Sequence, residues 1–382
     1  MKKILSFILA TALLAVIFAA CGGSPAPTEQ AAEQAPAPAP AQESPVIEDL
    51  EEVADTDVHA GKRVAFINAG PDDYYKQFGD AFAAIGRQYG WDVTEINSEY
   101  EPAKELANVE DMINAGMDAI AVITVSMEAA GEACILANNA GVPIFFVAGT
   151  PDESRGAKPN GHVTDNFLYM GYLVGRFVGE NYPDETVAYT IEGFLGQGTA
   201  EAQTEGFRRG LEATSGAEVV SLGSGEWQRT LAIPIMADLI TSGREWNVIY
   251  GANDEMTDGI LTAIEEAGID AKDKVVVSSN GKELAWPWLK DGRVKADSPN
   301  PPSLNADLSV QQIVAHFEGR PFPQKIRIYA PAALTADNID TAIPWVVSDY
   351  IAGRNAGNFP YQLDYYENLM KEMEAENPWL VG

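Results

Sequence analysis

The sequence has little cysteine, little histidine and few basic residues. Its 382 residues include two Cys and three His, and 25 Lys and Arg against 56 Asp and Glu give a formal charge of −31. Two cysteines cannot build a disulfide scaffold or a Cys-rich metal site, and the histidines, His59, His162 and His316, have no metal-like spacing. So acidic a chain also lacks the attraction to phosphate backbones on which nucleic-acid binding rests. We therefore expect no metal, no cofactor and no nucleic-acid partner.

The first twenty residues predict an export signal. Lys2 and Lys3 precede an uncharged apolar run of 17 residues, 4–20, which ends in small residues before Cys21. A run of this length is at the short end of the membrane-spanning range and is typical of a signal peptide. The surrounding stretch, 18–23 (FAACGG), resembles a bacterial lipobox, in which the signal is cleaved and the new N-terminal cysteine is lipidated. The alternative is an ordinary signal with an incidental cysteine.

The next segment predicts a disordered tether. Residues 21–60 are rich in Pro, Ala, Gln and Glu and contain no Lys or Arg. Such a composition buries too little apolar area to fold. No second apolar run is long enough to span a bilayer. We therefore expect an extracytoplasmic protein that is lipid-anchored to the cell membrane, on its periplasmic side or at the cell surface.

The rest of the chain alternates strand and helix patterns. Between apolar runs lie amphipathic stretches, in one of which Leu106, Val109 and Ile113 recur at helical spacing. This alternation predicts an α/β protein with parallel, doubly wound sheets, and the length suggests two domains. The predicted strands are 63–68, 91–96, 119–124, 143–148, 187–191, 218–222, 247–251, 274–279 and 293–297.

Aromatic residues and side-chain amides follow these predicted strands, at the edge where such sheets bind ligands. Tyr74 and Tyr75 come after the first strand and Trp227 after the sixth, while amides follow several others. No Ser-His-Asp or Cys-His set accompanies them. Amides donate and accept hydrogen bonds and rings cover the faces of a sugar, so the pattern favours reversible binding of a neutral polar molecule.

Two stretches, 102–109 (PAKELANV) and 253–256 (NDEM), resemble the ribose-binding type of the periplasmic sugar-binding protein family. The similarity runs in register from about residue 62 to residue 338. It implies a type I periplasmic-binding-protein fold, in which two doubly wound parallel-sheet lobes are joined by a three-crossover hinge and close on a ligand. By this resemblance, lobe 1 comprises 61–164 and 301–328, lobe 2 comprises 165–300 and 329–345, and a C-terminal extension covers 346–382.

The resemblance also implies a ligand site. Tyr74 and Tyr75 match the aromatic pair that sandwiches the sugar, and Trp227 matches the ring that stacks from lobe 2. Asn253 matches a ligand-binding Asn. The remaining candidates occupy positions of polar or charged ligand contacts in the family: Asp72, Asp73, Gln203, Asn280 and Asn300.

Several of these candidates have a structural alternative. Asp72 and Asp73 could cap a loop, Asn253 could be only the N-cap of the helix that follows it, and Asn280 begins an Asn-Gly turn pattern. Gln203, one turn into a predicted helix, could be a solvated side chain.

Three charges of the family's site are missing here. The Asp-Arg pair after the fourth strand is replaced by Ala148 and Gly149, and the arginine of lobe 2 is replaced by Gln203. We therefore expect a neutral, roomier pocket. It favours a larger or differently shaped sugar, a polyol or a related signal molecule over ribose.

The sequence thus predicts a monomeric solute-binding lipoprotein rather than an enzyme. It would capture a sugar or a sugar-like neutral solute and deliver it to the permease of an ABC importer. The alternative function is a sensing module that presents a sugar, polyol or autoinducer-like signal to a membrane receptor or kinase. An enzyme on the same fold is disfavoured because no nucleophile–base pair or metal cluster is present in the sequence pattern.

Overall fold

The computed structural model describes residues 58–184 and 187–381. Residues 58–60, which the sequence assigned to the disordered tether, are instead part of the folded structure, because His59 is 0% exposed and its ring packs against those of Tyr89 and Phe317. The predicted signal peptide, the predicted lipidation site Cys21 and residues 21–57 of the predicted tether lie outside the described residues. Those features stay predictions. Within the described ranges, no helix combines the length and the apolar content that crossing a membrane requires.

Strands and α-helices alternate along most of the described chain, as the sequence predicted. The strands are β1 (Arg63–Asn68), β2 (Asp92–Asn97), β3 (Ala119–Val122), β4 (Ile144–Val147), β5 (Gly161–Asp165), β6 (Ala188–Glu192), β7 (Val219–Ser224), β8 (Val248–Gly251), β9 (Val275–Asn280), β10 (Ala296–Pro299) and β11 (Lys325–Ile328). The helices are α1 (Asp73–Gln88), α2 (Pro102–Asn114), α3 (Met127–Ala140), α4 (Phe167–Asn181), α5 (Thr199–Thr214), α6 (Arg229–Thr241), α7 (Asp254–Glu266), α8 (Trp286–Asp291), α9 (Pro302–Phe317), α10 (Val347–Asn355) and α11 (Leu363–Glu376).

Two of these strands, β5 and β11, were missed by the sequence reasoning. β5 reads GHVTD, with a single aliphatic residue, and β11 reads KIRI, only four residues of which two are basic. β10 begins at Ala296, three residues later than predicted. The reason is that Gly292 ends α8 with a φ of +82°, so the next residues still belong to the turn that follows the helix.

Two parallel sheets form the two lobes. Sheet 1 has the strand order β11-β5-β4-β3-β1-β2, and sheet 2 has the order β10-β9-β8-β6-β7. In β1, Val64 and Phe66 enter one apolar core, whereas Ala65 and Ile67 enter another. Because successive side chains of a strand point to opposite faces, both faces of sheet 1 are covered. The predicted α/β class with two parallel-sheet lobes is confirmed.

The chain crosses between the sheets after β5, after β10 and after β11. Val174 of α4, which follows β5, packs in the core of sheet 2, and Leu308 of α9, which follows β10, packs in the core of sheet 1. After β11, Leu334 pairs with a residue of β10 through two backbone hydrogen bonds. Apart from β11, sheet 1 is built from residues 63–165 and sheet 2 from residues 188–299. The finer lobe limits stay a prediction.

The C-terminal helices α10 and α11 pack against the core of sheet 1. Tyr350, Leu363 and Tyr366 belong to that core. Beyond α11, Trp379 lies edge-on against Tyr172 of α4, with 4.7 Å between the ring centroids. The C-terminal segment therefore touches elements of both lobes.

Candidate ligand-binding site

A cavity lies between the lobes, at the carboxyl ends of the strands of both sheets. The space outside protein atoms amounts to about 570 Å³, part of it continuous with solvent. The nine residues predicted as ligand contacts all line it: Asp72, Asp73, Tyr74, Tyr75, Gln203, Trp227, Asn253, Asn280 and Asn300. The other lining residues are Ala148, Phe167, Gln197, Thr199 and Glu255.

Asp72 fixes the first turn of α1, which carries both tyrosines. It is the N-cap of the helix: one carboxylate oxygen accepts the Tyr75 backbone N–H at 3.1 Å, and the other accepts the Tyr100 hydroxyl. Burial raises the pKa of Asp72 to about 6, although these hydrogen bonds oppose the shift. The capping alternative thus describes Asp72 correctly. By holding the helix start, it directs Tyr74 and Tyr75 towards the cavity.

Tyr74 and Tyr75 form an aromatic corner on the lobe 1 side. Their ring centroids are 5.6 Å apart and the rings meet at 80°. The Tyr74 hydroxyl donates to Asn300 Oδ1 at 3.1 Å, and the Tyr75 hydroxyl accepts from Gln197 Nε2 at 3.2 Å. Asn300 and Gln197 both follow strands of sheet 2. These two bonds therefore reach across the cleft, and the structure is that of the lobes shut around the cavity.

Trp227 covers the cavity from lobe 2, and Asn253 holds the loop that carries it. The Asn253 amide nitrogen donates to the Trp227 carbonyl oxygen at 3.1 Å, while its Oδ1 accepts the Met256 N–H at 2.8 Å as the N-cap of α7. Asn253 is therefore the N-cap of α7, but it is not only a cap, because the same side chain lines the cavity and ties α7 to the Trp227 loop. Trp227 depends on this support for its place at the cavity.

Strained backbone surrounds the cavity. Among the described residues other than glycine, six have positive φ, and three of them, Ala148 (+47°), Trp227 (+63°) and Asn280 (+109°), line the cavity. Such conformations cost roughly 1–3 kcal/mol each and persist only where surrounding contacts impose them. Asn280 is followed by Gly281 at +68°, which agrees with the Asn-Gly pattern noted in the sequence. Strain concentrated at a cavity indicates a functional site rather than a folding requirement.

Charged side chains lie at the mouth of the cavity, so the expectation of a neutral pocket is wrong. Lys282 Nζ is 2.7 Å from a carboxylate oxygen of Asp73 and 2.7 Å from one of Glu255. Burial alone would lower the pKa of Lys282, but the two carboxylates outweigh it and raise that pKa. The expectation was wrong because it considered only the positions at which charged residues of the family are replaced. It left out the carboxylates of Asp73 and Glu255. Asp73 belongs to α1 of lobe 1, whereas Lys282 and Glu255 belong to lobe 2, so this ion cluster bridges the cleft.

Gln203 occupies the position where the resemblance places an arginine. It lies in α5, is 2% exposed, and its Oε1 has no hydrogen-bond partner within the described part of the chain. Buried side-chain oxygens are nearly always satisfied, so an unpaired one that lines a cavity is an acceptor available to a ligand. The alternative of a solvated side chain is wrong for this residue.

Gln197 and Glu255 were missed, although both follow predicted strands. Gln197 lies in the Gly-rich loop after β6, and its amide also donates to the Thr124 carbonyl oxygen at 3.3 Å. Glu255 is the third residue of the NDEM stretch after β8. Their position beyond a strand end was the signal that could have found both. Phe167 carried no such signal because it follows β5, which was not predicted.

The cavity offers hydrogen-bonding groups and aromatic faces. Its lining contains no Ser, Cys, His or Lys side chain. Across 58–184 and 187–381, no three His, Cys, Asp or Glu side chains are grouped so as to hold a metal ion. Amide and carboxylate groups next to aromatic rings are suited to the reversible binding of a hydroxyl-bearing molecule.

Two parallel-sheet lobes that enclose a polar, aromatic-lined cavity define a solute-binding protein. Residues 64–321 match the family model described as periplasmic binding protein domain. The chain therefore belongs to the periplasmic binding protein family, whose members are solute-binding proteins rather than enzymes. The resemblance drawn from the sequence is confirmed.

Similar proteins agree with this assignment. A ribose import binding protein of Haemophilus influenzae is 26% identical over 243 residues, which cover 63% of this chain and 80% of that protein. A solved ABC transporter solute-binding protein from Bacillus halodurans, with bound myo-inositol, has a TM-score of 0.68 at 22% identity and covers 76% of this chain and 99% of that one. Another, from Actinobacillus succinogenes with bound D-allose, has a TM-score of 0.68 at 21% identity, with 73% and 99% covered. The predicted type I fold is confirmed.

Proposed function

We propose that this protein is an extracytoplasmic solute-binding lipoprotein that captures a sugar or polyol between its lobes and delivers it to an ABC importer. The observation that carries the proposal is the convergence of two tyrosines, one tryptophan and five side-chain amides on one cavity. Aromatic faces bury the C–H side of a sugar ring, and amides pair with its hydroxyls. One of the similar proteins is named for ribose import, and two others were solved with bound myo-inositol and D-allose. These names support a sugar or polyol as the ligand.

The ligand we propose is a sugar or polyol other than ribose. Ala148 and Gln203 stand where the family's ribose type has charged groups that pair with hydroxyls. A site built to pair particular hydroxyls strongly rejects molecules that leave its polar groups unpaired. The Gln203 Oε1 atom can accept a hydrogen bond from a ligand hydroxyl. At the same position the family has an arginine, which can only donate hydrogen bonds.

Closure of the cleft is the step that couples binding to delivery. The hydrogen bonds from Tyr74 to Asn300 and from Gln197 to Tyr75 join the lobes only when the cleft is shut. A ligand that contacts both lobes favours this closed form by population shift. The importer would then recognise the closed form.

A thermal-shift screen tests the proposed ligand class. The panel contains D-ribose, D-allose, D-fructose and myo-inositol, with an amino acid and a nucleoside as comparisons. A compound that binds only the folded protein adds about 2.7 kcal/mol of stability at a hundredfold excess over its Kd, so a true ligand raises the Tm clearly. Trp227→Ala should abolish this shift, whereas Trp379→Ala, outside the cavity, should keep it.

Two outcomes contradict this proposal. A shift with the amino acid or the nucleoside, and with no carbohydrate, overturns the ligand class. Unchanged sugar affinity in Trp227→Ala removes that ring from the site.

Anchoring and import need separate tests in cells. Cys21→Ser should release the protein from the membrane fraction, and loss of the whole chain should abolish uptake of the sugar found in the screen. Normal uptake together with a lost transcriptional response to that sugar would instead support the sensing module.

A further inference from the structure

The C-terminal segment passes between the lobes immediately behind the ligand cavity. It begins beyond residue 321, where the match to the family model ends. Ile339 packs in the core of sheet 2, while Ile343 and Val347 pack against the core of sheet 1. The chain thus makes a fourth crossing between the lobes, in addition to the three that follow β5, β10 and β11.

Trp345 lies on this fourth crossing and is 1% exposed. Its indole N–H donates to the Asn280 carbonyl oxygen at 3.1 Å, and its backbone N–H donates to Glu283 Oε1 at 2.8 Å, both in lobe 2. On the lobe 1 side, its ring meets the Tyr74 ring edge-on, with centroids 5.5 Å apart at 77°. The Ser303 hydroxyl of α9 donates to its carbonyl oxygen. Trp345 therefore contacts one cavity-lining residue from each lobe without lining the cavity itself.

Asn280 and Tyr74, the two cavity residues that Trp345 contacts, both need a neighbouring contact to hold their conformation. Asn280 has a φ of +109°, a conformation that needs contacts to hold it, and the Trp345 hydrogen bond goes to its carbonyl oxygen. Tyr74 points its hydroxyl at Asn300 across the cleft, so the orientation of its ring decides whether that bond forms. An edge-on aromatic contact favours one ring orientation by about 0.5–1.5 kcal/mol beyond simple burial.

We propose that Trp345 is a positioning residue of the ligand site, which fixes the Tyr74 ring and the Asn280 backbone and thereby links cleft closure to the shape of the cavity. The C-terminal segment beyond residue 321 is then part of the binding apparatus rather than a surface addition. This inference rests on the proposed function only for its affinity measurement. The support that Trp345 gives to Tyr74 and Asn280 is also a property of the protein without ligand.

Three full-length variants separate positioning from general stability. Trp345→Ala removes the whole indole with its N–H, whereas Trp345→Phe keeps an aromatic ring against Tyr74 and removes the N–H together with part of the indole. Trp379→Ala removes another tryptophan of the C-terminal segment, one that packs on Tyr172 and does not line the cavity. Each variant is titrated by calorimetry with D-allose, D-fructose and myo-inositol, at a temperature at which it is fully folded. Hydrogen exchange of unliganded protein is followed in peptides covering 72–82 and 276–285.

The expected affinities are graded. Loss of one hydrogen bond in Trp345→Phe should weaken binding about fivefold, and loss of the ring as well in Trp345→Ala should weaken it more than about tenfold, mostly through faster dissociation. Both peptides should exchange faster in Trp345→Ala. Trp379→Ala should match the wild type in affinity and in both peptides.

The inference is overturned if Trp345→Ala binds within twofold of the wild type, or if both peptides exchange at wild-type rates. If Trp345→Ala does not fold, Trp345→Phe decides, because wild-type affinity in that variant also overturns it. If no sugar or polyol binds the wild type, the proposed function fails, while the exchange rates still support or overturn the positioning role.

Discussion

The benzene ring of Trp227 lies directly against Gly193, so that a β-carbon on Gly193 would fall 2.0 Å from the ring. Gly193 follows β6 and Trp227 follows β7, which are neighbours in sheet 2. The Gly193 carbonyl oxygen also accepts the Ser224 hydroxyl at 2.6 Å, which holds the two loops together. Glycine is needed here for close approach, because any side chain would occupy the space of the indole.

Gly193→Ala should therefore weaken sugar binding without unfolding lobe 2. The new methyl group displaces the Trp227 ring from the cavity, and the loss of a stacked aromatic face should cost about tenfold or more in affinity. Calorimetry with the best compound of the panel measures the change. Gly196→Ala in the same loop is the matched control: its β-carbon meets no atom within 4 Å, although its φ of +99° strains the backbone. If both variants bind the sugar with the same affinity, the close approach of the Trp227 ring to Gly193 is not required for binding.

The ion cluster at the cleft mouth should slow ligand release. Asp73 of lobe 1 shares Lys282 with Glu255 of lobe 2, and all three side chains are partly exposed. Ion pairs of this exposure contribute about 0.2–1 kcal/mol, so Asp73→Asn should raise the dissociation rate about two- to fivefold at low salt. Stopped-flow release in low and high salt checks this, because screening should bring wild type and variant together.

Asp291→Asn is the control for that measurement. Asp291 pairs with Arg293 at 2.9 Å within lobe 2, so its loss should leave the release rate unchanged. An Asp73→Asn release rate equal to that of the wild type in low salt would show that the cluster does not latch the lobes.

Strand positions and most of the cavity could be predicted from local pattern. β1 has the predicted bounds, 63–68. A strand that is buried on both faces forms a continuous apolar run, which can be recognised from the sequence alone. Tyr74 and Trp227 were found because they follow strand ends, and all strand ends of a parallel sheet meet at one edge.

Contacts made at long range could not be predicted in the same way. Gln197 meets Tyr75 across 122 positions, and Trp345 meets Asn280 across 65. The first pair meets because the two lobes close on each other, and the second because the C-terminal segment returns to lobe 2; no periodicity in the sequence encodes either contact. β5 was missed for a related reason: His162 lies in it fully buried, with its pKa lowered to about 4 by burial, so a polar residue occupies a core position.

The buried carboxyl group of Glu105 should make stability fall as pH rises. Glu105 is 0% exposed and accepts hydrogen bonds from the Thr124 hydroxyl and the Val125 N–H, yet burial raises its pKa to about 7 from 4.5. Below pH 4.5 it is protonated in both the folded and the unfolded chain. Between pH 4.5 and 7 only the unfolded chain ionises readily, so this group lowers the free energy of unfolding by up to about 3 kcal/mol.

Glu105→Gln removes that titration. The free energy of unfolding of the wild type, relative to this variant, should therefore be larger at pH 4.5 than at pH 7, and urea unfolding at the two pH values measures the difference. Exposed Glu110→Gln on the same helix is the control, with a change below about 0.5 kcal/mol at either pH. A Glu105→Gln difference that does not vary with pH would contradict ionisation of this group between pH 4.5 and 7.

The charges around the cavity should exclude acidic sugars. Its lining includes the carboxyl groups of Asp72, Asp73 and Glu255 and no basic side chain, and Lys282 at the mouth already pairs with two of them. A ligand carboxylate about 5 Å from one uncompensated carboxylate meets a repulsion of roughly 3 kcal/mol at an effective dielectric constant of 20, about a hundredfold in affinity. We therefore expect D-galacturonate to bind at least that much more weakly than D-galactose, and myo-inositol phosphate more weakly than myo-inositol, in competition calorimetry at pH 7.5. Asp72→Asn should narrow both gaps, and acids that bind the wild type as tightly as their neutral parents would contradict a negatively charged site.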